Sequence, residues 1–161
     1  MGDRDLYADS TGLIVTCPSC GQKNRLHYKQ LDRPARCRKC HTPLSLPSSP
    51  VSLETTEAFD GLISQSPLPV FVDFWAEWCP PCRAVAPEVA KVAARQAGQV
   101  IVAKVDTEAL PDVSARLGIQ SIPMMALFIG GKEAGRTLGA RPAQDILTFI
   151  NDTIAQAAVR K

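Results

Sequence analysis

The six cysteines of this 161-residue chain form three pairs, and two residues separate the members of each pair. The pairs are Cys17 and Cys20, Cys37 and Cys40, and Cys79 and Cys82. Small scaffolds that are held together by disulfides usually contain more than about 8–10% cysteine, which this chain does not reach. Cysteines two residues apart can bind a metal ion or exchange disulfides. The spacing therefore predicts metal binding, redox chemistry or both.

The first two pairs have the spacing of a zinc site. Sixteen residues lie between Cys20 and Cys37, so two turns of the chain can bring four sulfurs to one ion. Four thiolates hold Zn²⁺ in a tetrahedron with Zn–S distances of about 2.3 Å. Gly21 directly follows a cysteine and can adopt the left-handed backbone that such a turn needs. The pattern predicts one Zn²⁺ per chain, bound by Cys17, Cys20, Cys37 and Cys40.

This zinc site has two possible roles. Four cysteines leave no open position for a substrate, so the ion is expected to be structural and to contribute on the order of 10 kcal/mol to folding of the small module. The alternative is a redox switch, in which the thiols form disulfides on oxidation and release zinc. His27 and His41 could replace a ligand, but because four thiolates already fill the site, we interpret both as surface residues.

The third pair lies where a buried strand meets a helix. An almost continuous apolar run covers residues 69–76, and a helical pattern extends from about residue 81 to residue 97. The N–H groups and dipole at a helix start stabilise a thiolate. We therefore interpret Cys79 as an exposed nucleophile and Cys82, one turn later, as the thiol that resolves the mixed disulfide. Pro81 suits the first helical turn.

One carboxylate interrupts the apolar strand that precedes this pair. Burying a charge costs several kcal/mol unless the charge is paired or protonated, so Asp73 requires an explanation. Desolvation would raise its pKa, and the group could then serve as a base toward the cysteines. Lys104, inside the next apolar strand, is the expected counter-charge. The alternative is that Asp73 faces solvent on an edge strand.

The elements that must hold these residues alternate between helix and strand after residue 47. The patterns predict helices over residues 56–64, 81–97, 111–117 and 141–159, and strands over 69–76, 99–106, 125–129 and 133–138, the last two as a hairpin. This order predicts an α/β fold with a mixed sheet. Prolines and serines near residue 47 predict a linker. The expected domains are a zinc ribbon over 13–46, a linker over 47–53 and an α/β domain over 54–158.

Several segments together resemble the thioredoxin family. Residues 72–83 resemble its active-site segment, Ala86-Pro87 its helix kink, residues 118–123 the segment that carries its cis-proline, and residues 138–140 its closing glycine segment. The resemblance covers about residues 52–158. With the four-cysteine module in front, the chain resembles the thioredoxin 2 type of bacteria. The resemblance implies the thioredoxin fold, a mixed central sheet flanked by helices, with a small N-terminal zinc ribbon.

The resemblance also implies roles for individual residues. Cys79 would be the nucleophile, Cys82 the resolving thiol and Asp73 the buried proton acceptor. The substrate would bind beside Trp75, Trp78, Ile122 and Pro123, with a cis bond between the last two. The activity would be reduction of protein disulfides. A thioredoxin reductase that uses NADPH would regenerate the dithiol, and because the chain has no Gly-x-Gly-x-x-Gly motif, we expect it to bind no nucleotide itself.

Two positions differ from the pattern of the family. Pro80 stands where the family usually has glycine, and it would stiffen the loop and remove an N–H near the Cys79 sulfur. Met124 stands where threonine is common, and with Met125 it would form a soft apolar contact surface. We therefore expect substrate preferences that differ from those of an ordinary thioredoxin.

Charge and composition exclude other classes of protein. Eighteen basic and sixteen acidic residues give a net charge of +2, which is too low for a nucleic-acid-binding surface. Residues 1–46 carry eight basic and four acidic side chains, an excess that would partly neutralise a zinc–thiolate centre. The polar start, Met1–Asp5, lacks the pattern of an export signal, and no apolar stretch could span a membrane. We therefore expect a cytoplasmic monomer whose partners are thioredoxin reductase and proteins with disulfides.

Two other functions stay open on the residues alone. One is an interaction or chaperone protein whose zinc ribbon docks a client in a redox-dependent way. The intact cysteine pair and Asp73 argue against a purely binding role. The other is an oxidant or isomerase of exported proteins, which the absence of an export signal disfavours.

Overall fold

The N-terminal part of the chain consists of two small antiparallel sheets. In the computed structural model, which describes residues 6–160, strands β1 (Tyr7–Ala8), β2 (Gly12–Thr16) and β3 (Lys23–His27) form one sheet. Strands β4 (Ala35–Arg36) and β5 (Pro43–Leu44) form the other. The loops that close the β2–β3 and β4–β5 hairpins, residues 17–22 and 37–42, carry the four N-terminal cysteines.

A five-stranded mixed sheet forms the centre of the rest of the chain. Its strands are β6 (Val51–Ser52), β7 (Val70–Trp75), β8 (Ile101–Asp106), β9 (Met124–Ile129) and β10 (Lys132–Leu138). Their order across the sheet is β10-β9-β7-β8-β6. Strand β7 runs parallel to β8 and antiparallel to β9, and β9 and β10 form the predicted hairpin. The central position of β7 explains its continuous apolar sequence, because both its edges are paired and both its faces are covered.

Four α-helices flank this sheet in the described chain, close to the predicted bounds. They are α1 (Thr56–Gln65), α2 (Pro80–Arg95), α3 (Pro111–Arg116) and α4 (Ala143–Val159). Thr55 caps α1 by accepting a hydrogen bond from the Ala58 N–H at 3.0 Å. Gly118, with φ of +64°, follows α3 in the left-handed conformation that ends a helix. The predicted α/β class, with a mixed central sheet between helices, is confirmed.

The side chains of β7 alternate between two apolar layers. Val70, Val72 and Phe74 belong to a core that includes residues of α1 and α3. Phe71 belongs to the opposite core, which includes residues of α2 and α4. Because side chains of a strand alternate between its faces, Asp73 lies on the same side as Phe71, under α2. The sheet therefore buries this carboxyl between two packed layers.

The N-terminal sheets share the core on the α1 side. Leu13, Leu26 and Tyr28 belong to the same apolar cluster as the residues of α1. Tyr28 is fully buried, and its hydroxyl donates a hydrogen bond to the Asp9 carbonyl at 2.7 Å. A Cβ added at Gly61 of α1 would lie 2.2 Å from the Ser10 carbonyl oxygen. The N-terminal sheets thus pack directly on α1.

The segment predicted as a linker is partly structured. Val51 and Ser52 form β6, which pairs in parallel with Ala103 and Lys104 of β8. The next N–H, from Leu53, donates to the Lys104 carbonyl at 2.9 Å. The edge of β8 that faces away from β7 explains why this part of the predicted linker forms a strand. Its backbone N–H and carbonyl groups would otherwise be unpaired, and they pair with β6. The irregular connection therefore ends before residue 51.

Two observations bear on the expectations about export and membranes. In the part of the chain that the structure describes, no helix is both long and apolar enough to cross a membrane. The polar start, Met1–Asp5, on which the expectation of no export signal depended, lies outside the described residues.

The contact at Gly61 generates a prediction about stability. In an exposed helix, replacing glycine by alanine stabilises by up to about 1 kcal/mol. We expect Gly61→Ala to lower the free energy of unfolding by about 1–3 kcal/mol instead, because the new methyl group would overlap the Ser10 carbonyl. Urea unfolding measures this change. The control is Ser64→Ala at an exposed position of the same helix, which should change stability by less than about 0.5 kcal/mol. A stabilised Gly61→Ala variant would contradict the close packing.

Candidate functional site

The third cysteine pair lies at the start of α2, directly after the central strand. Cys79 and Cys82 form a disulfide with a Cα–Cα distance of 5.3 Å. Cys79 is the N-cap residue of α2, and its Sγ accepts a hydrogen bond from the Cys82 N–H at 3.2 Å. The positive end of the helix dipole also favours negative charge here. Both effects would stabilise a thiolate on Cys79 after reduction.

The two prolines between the cysteines occupy the first turn of α2. The helix begins at Pro80, one residue earlier than predicted. The N–H groups of a first turn lack partners within the helix, so proline loses little there. The N–H that contacts the Cys79 sulfur belongs to Cys82. Pro80 lacks an N–H, as expected, but the hydrogen bond to the Cys79 sulfur does not depend on that position.

Exposure does not distinguish the two cysteines. In the disulfide form, Cys79 is 2% exposed and Cys82 is 3% exposed. The prediction of an exposed Cys79 is wrong for this state. Both residues lie in a small apolar cluster with Ala76, against which Trp75 and Ile122 pack. The side chains of Trp75 and Ile122 cover the two sulfurs. A Cys-x-x-Cys motif does not predict the contact with Ile122, which lies in a loop about 40 residues later in the chain.

The loop that contains Pro123 faces the disulfide. The Ile122–Pro123 peptide bond is cis, as the resemblance implies. The Ile122 carbonyl oxygen lies 3.8 Å from the Cys79 sulfur. Gly139, with φ of +87°, donates its N–H to the Pro123 carbonyl at 2.9 Å. This hydrogen bond fastens the loop to the end of β10, beside the disulfide.

The two tryptophans differ in exposure. Trp78 is 62% exposed, and its Nε1 donates a hydrogen bond to Glu108 Oε1 at 2.6 Å. Trp75 is half-buried, and its carbonyl accepts hydrogen bonds from the N–H and the hydroxyl of Thr107. Sequence reasoning missed Glu108, because no spacing motif relates it to a residue 30 positions earlier. Glu108 holds an exposed indole beside the disulfide.

Asp73 is buried on the central strand beneath these elements. It is 1% exposed, and its Oδ1 has no hydrogen-bond partner among the described residues. Burial raises the pKa of this carboxyl to about 6, although the positive charge of Lys104 opposes the rise. The alternative of a solvent-facing edge residue is wrong, since β7 is paired on both sides.

Lys104 lies opposite Asp73 on the neighbouring strand. The two residues are register partners of β7 and β8. The Lys104 Nζ lies 5.0 Å from the centroid of the Trp75 ring, a cation–π arrangement. Within residues 6–160, no salt bridge joins Lys104 to Asp73. Lys104 therefore acts on the carboxyl through space and leaves it without a direct ionic partner.

The two methionines after Pro123 do not form a contact surface. Met124 and Met125 are fully buried in β9, one in each apolar layer. The prediction of a soft substrate-binding surface at these residues is wrong. The physical reason is that β9 lies inside the sheet between β7 and β10, where both faces are covered.

The four N-terminal cysteines lie in two loops with the same backbone pattern. In the first loop, the Cys17 N–H donates to the Gln22 carbonyl and the Gly21 N–H donates to the Cys17 carbonyl. In the second, Cys37 bonds to Thr42 and His41 to Cys37 in the same way. Gly21 has φ of +78° and His41 has φ of +63°. His41 therefore adopts the same left-handed backbone conformation as Gly21. The sequence does not indicate this, because histidine rarely adopts that conformation.

The geometry of the four sulfurs fits a tetrahedral metal ion. The Cys17–Cys40 and Cys20–Cys37 sulfur distances are both 3.6 Å, and all four sulfurs lie within 4.8 Å of one another. A tetrahedron with Zn–S bonds of about 2.3 Å has sulfurs about 3.8 Å apart. The four cysteines are free thiols. Neither histidine belongs to this group among the described residues, in agreement with the prediction.

Polar groups around the sulfurs orient them and change their acidity. Hydrogen bonds from the backbone N–H groups of Cys40 and Lys39 lower the pKa of Cys37 to about 6. Asn24 is buried, accepts the Arg38 N–H at 3.0 Å and donates to the Gln22 carbonyl at 3.0 Å. Asn24 thus ties the two cysteine loops together. Sequence reasoning missed it, since a lone asparagine in a hairpin has no distinguishing pattern.

Three comparisons with known proteins agree on the family. A family model described as Thioredoxin matches residues 50–152. The relative "Thioredoxin C-3" from Corynebacterium nephridii is 40% identical over 144 residues, 89% of this chain and 97% of that protein. "Bifunctional thioredoxin reductase/thioredoxin" from Mycobacterium leprae is 39% identical over 105 residues, 65% of this chain and 23% of that protein.

A solved structure has the same fold. Plasmodium falciparum thioredoxin superposes with a TM-score of 0.59 at 29% identity, covering 63% of this chain and 96% of that one. The family model alone spans more than half of the present chain. The disulfide at the strand–helix junction lies within the matched residues. The chain therefore belongs to the thioredoxin family and is a thiol–disulfide oxidoreductase that reduces protein disulfides.

Proposed function

We propose that Cys79 and Cys82 carry out this reduction on substrate proteins, and that the four N-terminal cysteines hold one structural Zn²⁺. The chain would then be a thioredoxin of the zinc-ribbon, or thioredoxin 2, type. The observation that carries the redox proposal is the disulfide at the N-cap of α2, with an N–H directed at one sulfur. A helix start of this kind favours the thiolate that attacks disulfides.

The proposed reaction has two exchanges. The Cys79 thiolate attacks one sulfur of a substrate disulfide, whose S–S bond breaks, and the released substrate thiolate takes up a proton. The Cys82 thiol then loses its proton and attacks the Cys79 sulfur. The mixed disulfide breaks, and the second substrate sulfur leaves as a thiolate that is protonated. The chain dithiol is oxidised to a disulfide, and the substrate disulfide is reduced to a dithiol.

Asp73 is the proposed proton acceptor for the second exchange. It lies on the α2 side of the sheet, and α2 carries Cys82 in its first turn. A carboxyl with a pKa near 6 is largely ionised at pH 7 and is a stronger base than an ordinary aspartate. Since Oδ1 lacks another partner among the described residues, it is free to accept a proton.

The surface around the disulfide is the proposed substrate site. Trp78 supplies an exposed aromatic ring that Glu108 holds in place, and Trp75 lies at the edge of the disulfide cluster. Ile122 and Pro123 form the opposite wall, with the Ile122 carbonyl near the Cys79 sulfur. An extended substrate segment could hydrogen-bond to this backbone while its disulfide approaches Cys79.

A thioredoxin reductase that uses NADPH is the proposed electron donor. The name of the Mycobacterium leprae relative joins a thioredoxin reductase and a thioredoxin in one chain, and the part that matches this chain is only 23% of it. A separate reductase would deliver two electrons to the Cys79–Cys82 disulfide. A reducing compartment such as the cytoplasm suits four other thiols that must stay reduced to bind a metal.

The proposed zinc ribbon covers residues 13–46, ahead of a thioredoxin domain over 54–158. The distances among the four sulfurs support a tetrahedral ion, and four thiolates are a ligand set typical of structural zinc. The Corynebacterium nephridii relative supports the module as well. Residues 50–161 supply at most 112 of the 144 aligned residues, so at least 32 of them precede residue 50.

The cysteine roles predict distinct phenotypes. Cys79→Ser should abolish reduction of insulin disulfides, because no nucleophile remains. Cys82→Ser should accumulate mixed disulfides with substrate, which mass spectrometry detects, since no thiol then attacks the Cys79 sulfur. Cys40→Ser is the matched control and should retain redox activity in any folded fraction. Activity retained in Cys79→Ser, or no mixed disulfide in Cys82→Ser, would refute the assignment.

Asp73 predicts a link between pH and stability. Its pKa is about 6 in the folded chain and 3.8 in a free one, so the folded state binds the proton more tightly. The free energy of unfolding therefore falls as pH rises from about 4 to about 6 and stays lower above that. In Asp73→Asn, which has no titrating carboxyl at this position, the free energy of unfolding should not fall in this way. The variant should therefore stabilise the oxidised protein at pH 7 by roughly 2–3 kcal/mol. Urea unfolding across this pH range measures the difference.

The same variant tests the role of Asp73 as a base. Asp73→Asn should slow breakdown of the mixed disulfide at pH 7 by up to about 100-fold. Asp152→Asn, at an exposed position of α4, is the control and should change neither stability nor rate. If Asp73→Asn stabilised the protein but left the rate unchanged, the carboxyl would be buried without serving as a base.

We expect the protein to bind one equivalent of zinc, and we expect this binding to require the four N-terminal cysteines but not Cys79 or Cys82. Elemental analysis of the wild-type protein should find one zinc per chain. Cys37→Ser should lose the metal and unfold the ribbon, because three thiolates leave the tetrahedron open. Cys79→Ser should retain the metal in full. A metal-free wild-type protein with a folded ribbon would contradict the proposal.

A further inference from the structure

A pocket on the zinc-ribbon segment has no role in the chemistry described so far. Its volume is about 390 Å³, and it lies between β3, the 3-10 turn Tyr28–Gln30 and the β4–β5 hairpin. Four leucines give it an apolar floor, of which two are buried and two half-buried. They are Leu26, Leu31, Leu44 and Leu46.

Basic side chains surround this apolar floor. Four arginines line the pocket, and none of its described lining residues is acidic. The arginines are Arg25, Arg33, Arg36 and Arg38. The pocket therefore concentrates half of the eight basic residues found in the first 46 residues. An apolar floor with a guanidinium rim fits a ligand that has both an apolar and an anionic part.

Two of the four arginines are already engaged. Arg25 forms a salt bridge with Asp9, and the Arg36 guanidinium donates to the His41 carbonyl at 3.1 Å. Among the described residues, the guanidinium groups of Arg33 and Arg38 make no hydrogen bond and no salt bridge. These two groups keep all their donors available. A carboxylate can accept two parallel hydrogen bonds from one guanidinium group.

We propose that this pocket binds an acidic segment of a partner protein, with one or two large apolar side chains seated on the leucine floor and flanking carboxylates bound by Arg33 and Arg38. The volume accommodates one or two large apolar side chains but no folded domain, so a short linear segment is the fitting ligand. A nucleic acid would need a wider basic surface than a chain of net charge +2 provides, and its phosphates would leave the leucines without a contact.

The pocket and the redox site share no residue. The pocket is lined by residues 24–46, whereas the disulfide, Asp73 and the cis-proline loop lie between residues 73 and 139. Binding at the pocket therefore leaves Cys79 and Cys82 uncovered. The proposal concerns binding alone, and its test does not depend on disulfide exchange.

The test uses the full chain and a short fluorescent peptide with glutamates on both sides of a leucine–phenylalanine pair. Fluorescence anisotropy should detect binding that weakens as salt is added. Arg33→Gln/Arg38→Gln should bind the peptide about tenfold more weakly or worse, because charge-assisted hydrogen bonds are lost. Arg33→Lys/Arg38→Lys should recover part of the affinity, since charge returns without the guanidinium geometry. NMR shifts caused by the peptide should concentrate in residues 24–46.

Controls separate this site from nonspecific attraction. Arg95→Gln/Arg160→Gln removes the same charge from exposed positions elsewhere and should bind the peptide normally. A peptide with glutamine in place of glutamate, or serine in place of the leucine–phenylalanine pair, should bind much more weakly. Insulin reduction and zinc content should be unchanged in Arg33→Gln/Arg38→Gln, which confirms that it is folded.

Three results would overturn the proposal. The first is equal binding by Arg33→Gln/Arg38→Gln and wild type. The second is equal loss of binding in the pocket variant and the control variant, which would indicate only a general charge effect. The third is a short single-stranded DNA that displaces the peptide and binds more tightly, which would make the pocket a nucleic-acid site. Failure of insulin reduction in the wild type would count against the redox function and not against this pocket.

Discussion

The burial of one carboxyl group in the central strand is the constraint on which the rest of the structure depends. Asp73 lies between two paired strands and beneath an apolar layer, with one oxygen unpartnered among the described residues. An unsatisfied buried polar group costs about 1–3 kcal/mol, which apolar packing on both faces of the sheet must offset. The same strand then delivers the chain to α2 and the disulfide. The position that is costly for stability is therefore the position of the proposed base.

The cysteine pairs have the same spacing but different chemistry, because their backbones differ. In the first two pairs, a left-handed residue after the second cysteine, Gly21 or His41, folds the chain into a tight loop whose sulfurs point to a common centre. In the third pair, the two residues between the cysteines are prolines, and they form the first turn of a helix. A helix start isolates the pair from other sulfurs and surrounds it with N–H groups. A loop in a hairpin presents both sulfurs to a second loop.

Sequence patterns predicted the helices and four of the five strands of the central sheet closely, since long apolar runs such as residues 69–76 are typical of buried strands. They also related Cys79, Cys82 and Asp73 to one another, whereas Pro123 was placed beside them only through the resemblance to a family. The errors arose where the environment came from distant residues. Cys79 is covered by Trp75 and Ile122, and Met124 is enclosed by strands on both sides. Glu108 was missed because its partner, Trp78, lies 30 residues earlier in the chain. Asn24 was missed because its partners are backbone groups, which a sequence does not distinguish.

The proposed binding pocket gives the basic excess of the N-terminal module a more specific explanation than neutralisation of a zinc–thiolate centre would. A zinc ion with four thiolates carries a charge of about −2, which a general excess of lysine and arginine would balance at any nearby position. The arginines are instead arranged around one apolar pocket, and Arg36 and Arg38 flank the cysteine at position 37. Because the N-terminal sheets pack on α1 through Gly61 and Tyr28, the pocket residues Leu26 and Leu31 belong to the same apolar cluster as residues of α1 and β7. A partner bound there would therefore be held on the same apolar core as β7, the strand that leads to the disulfide.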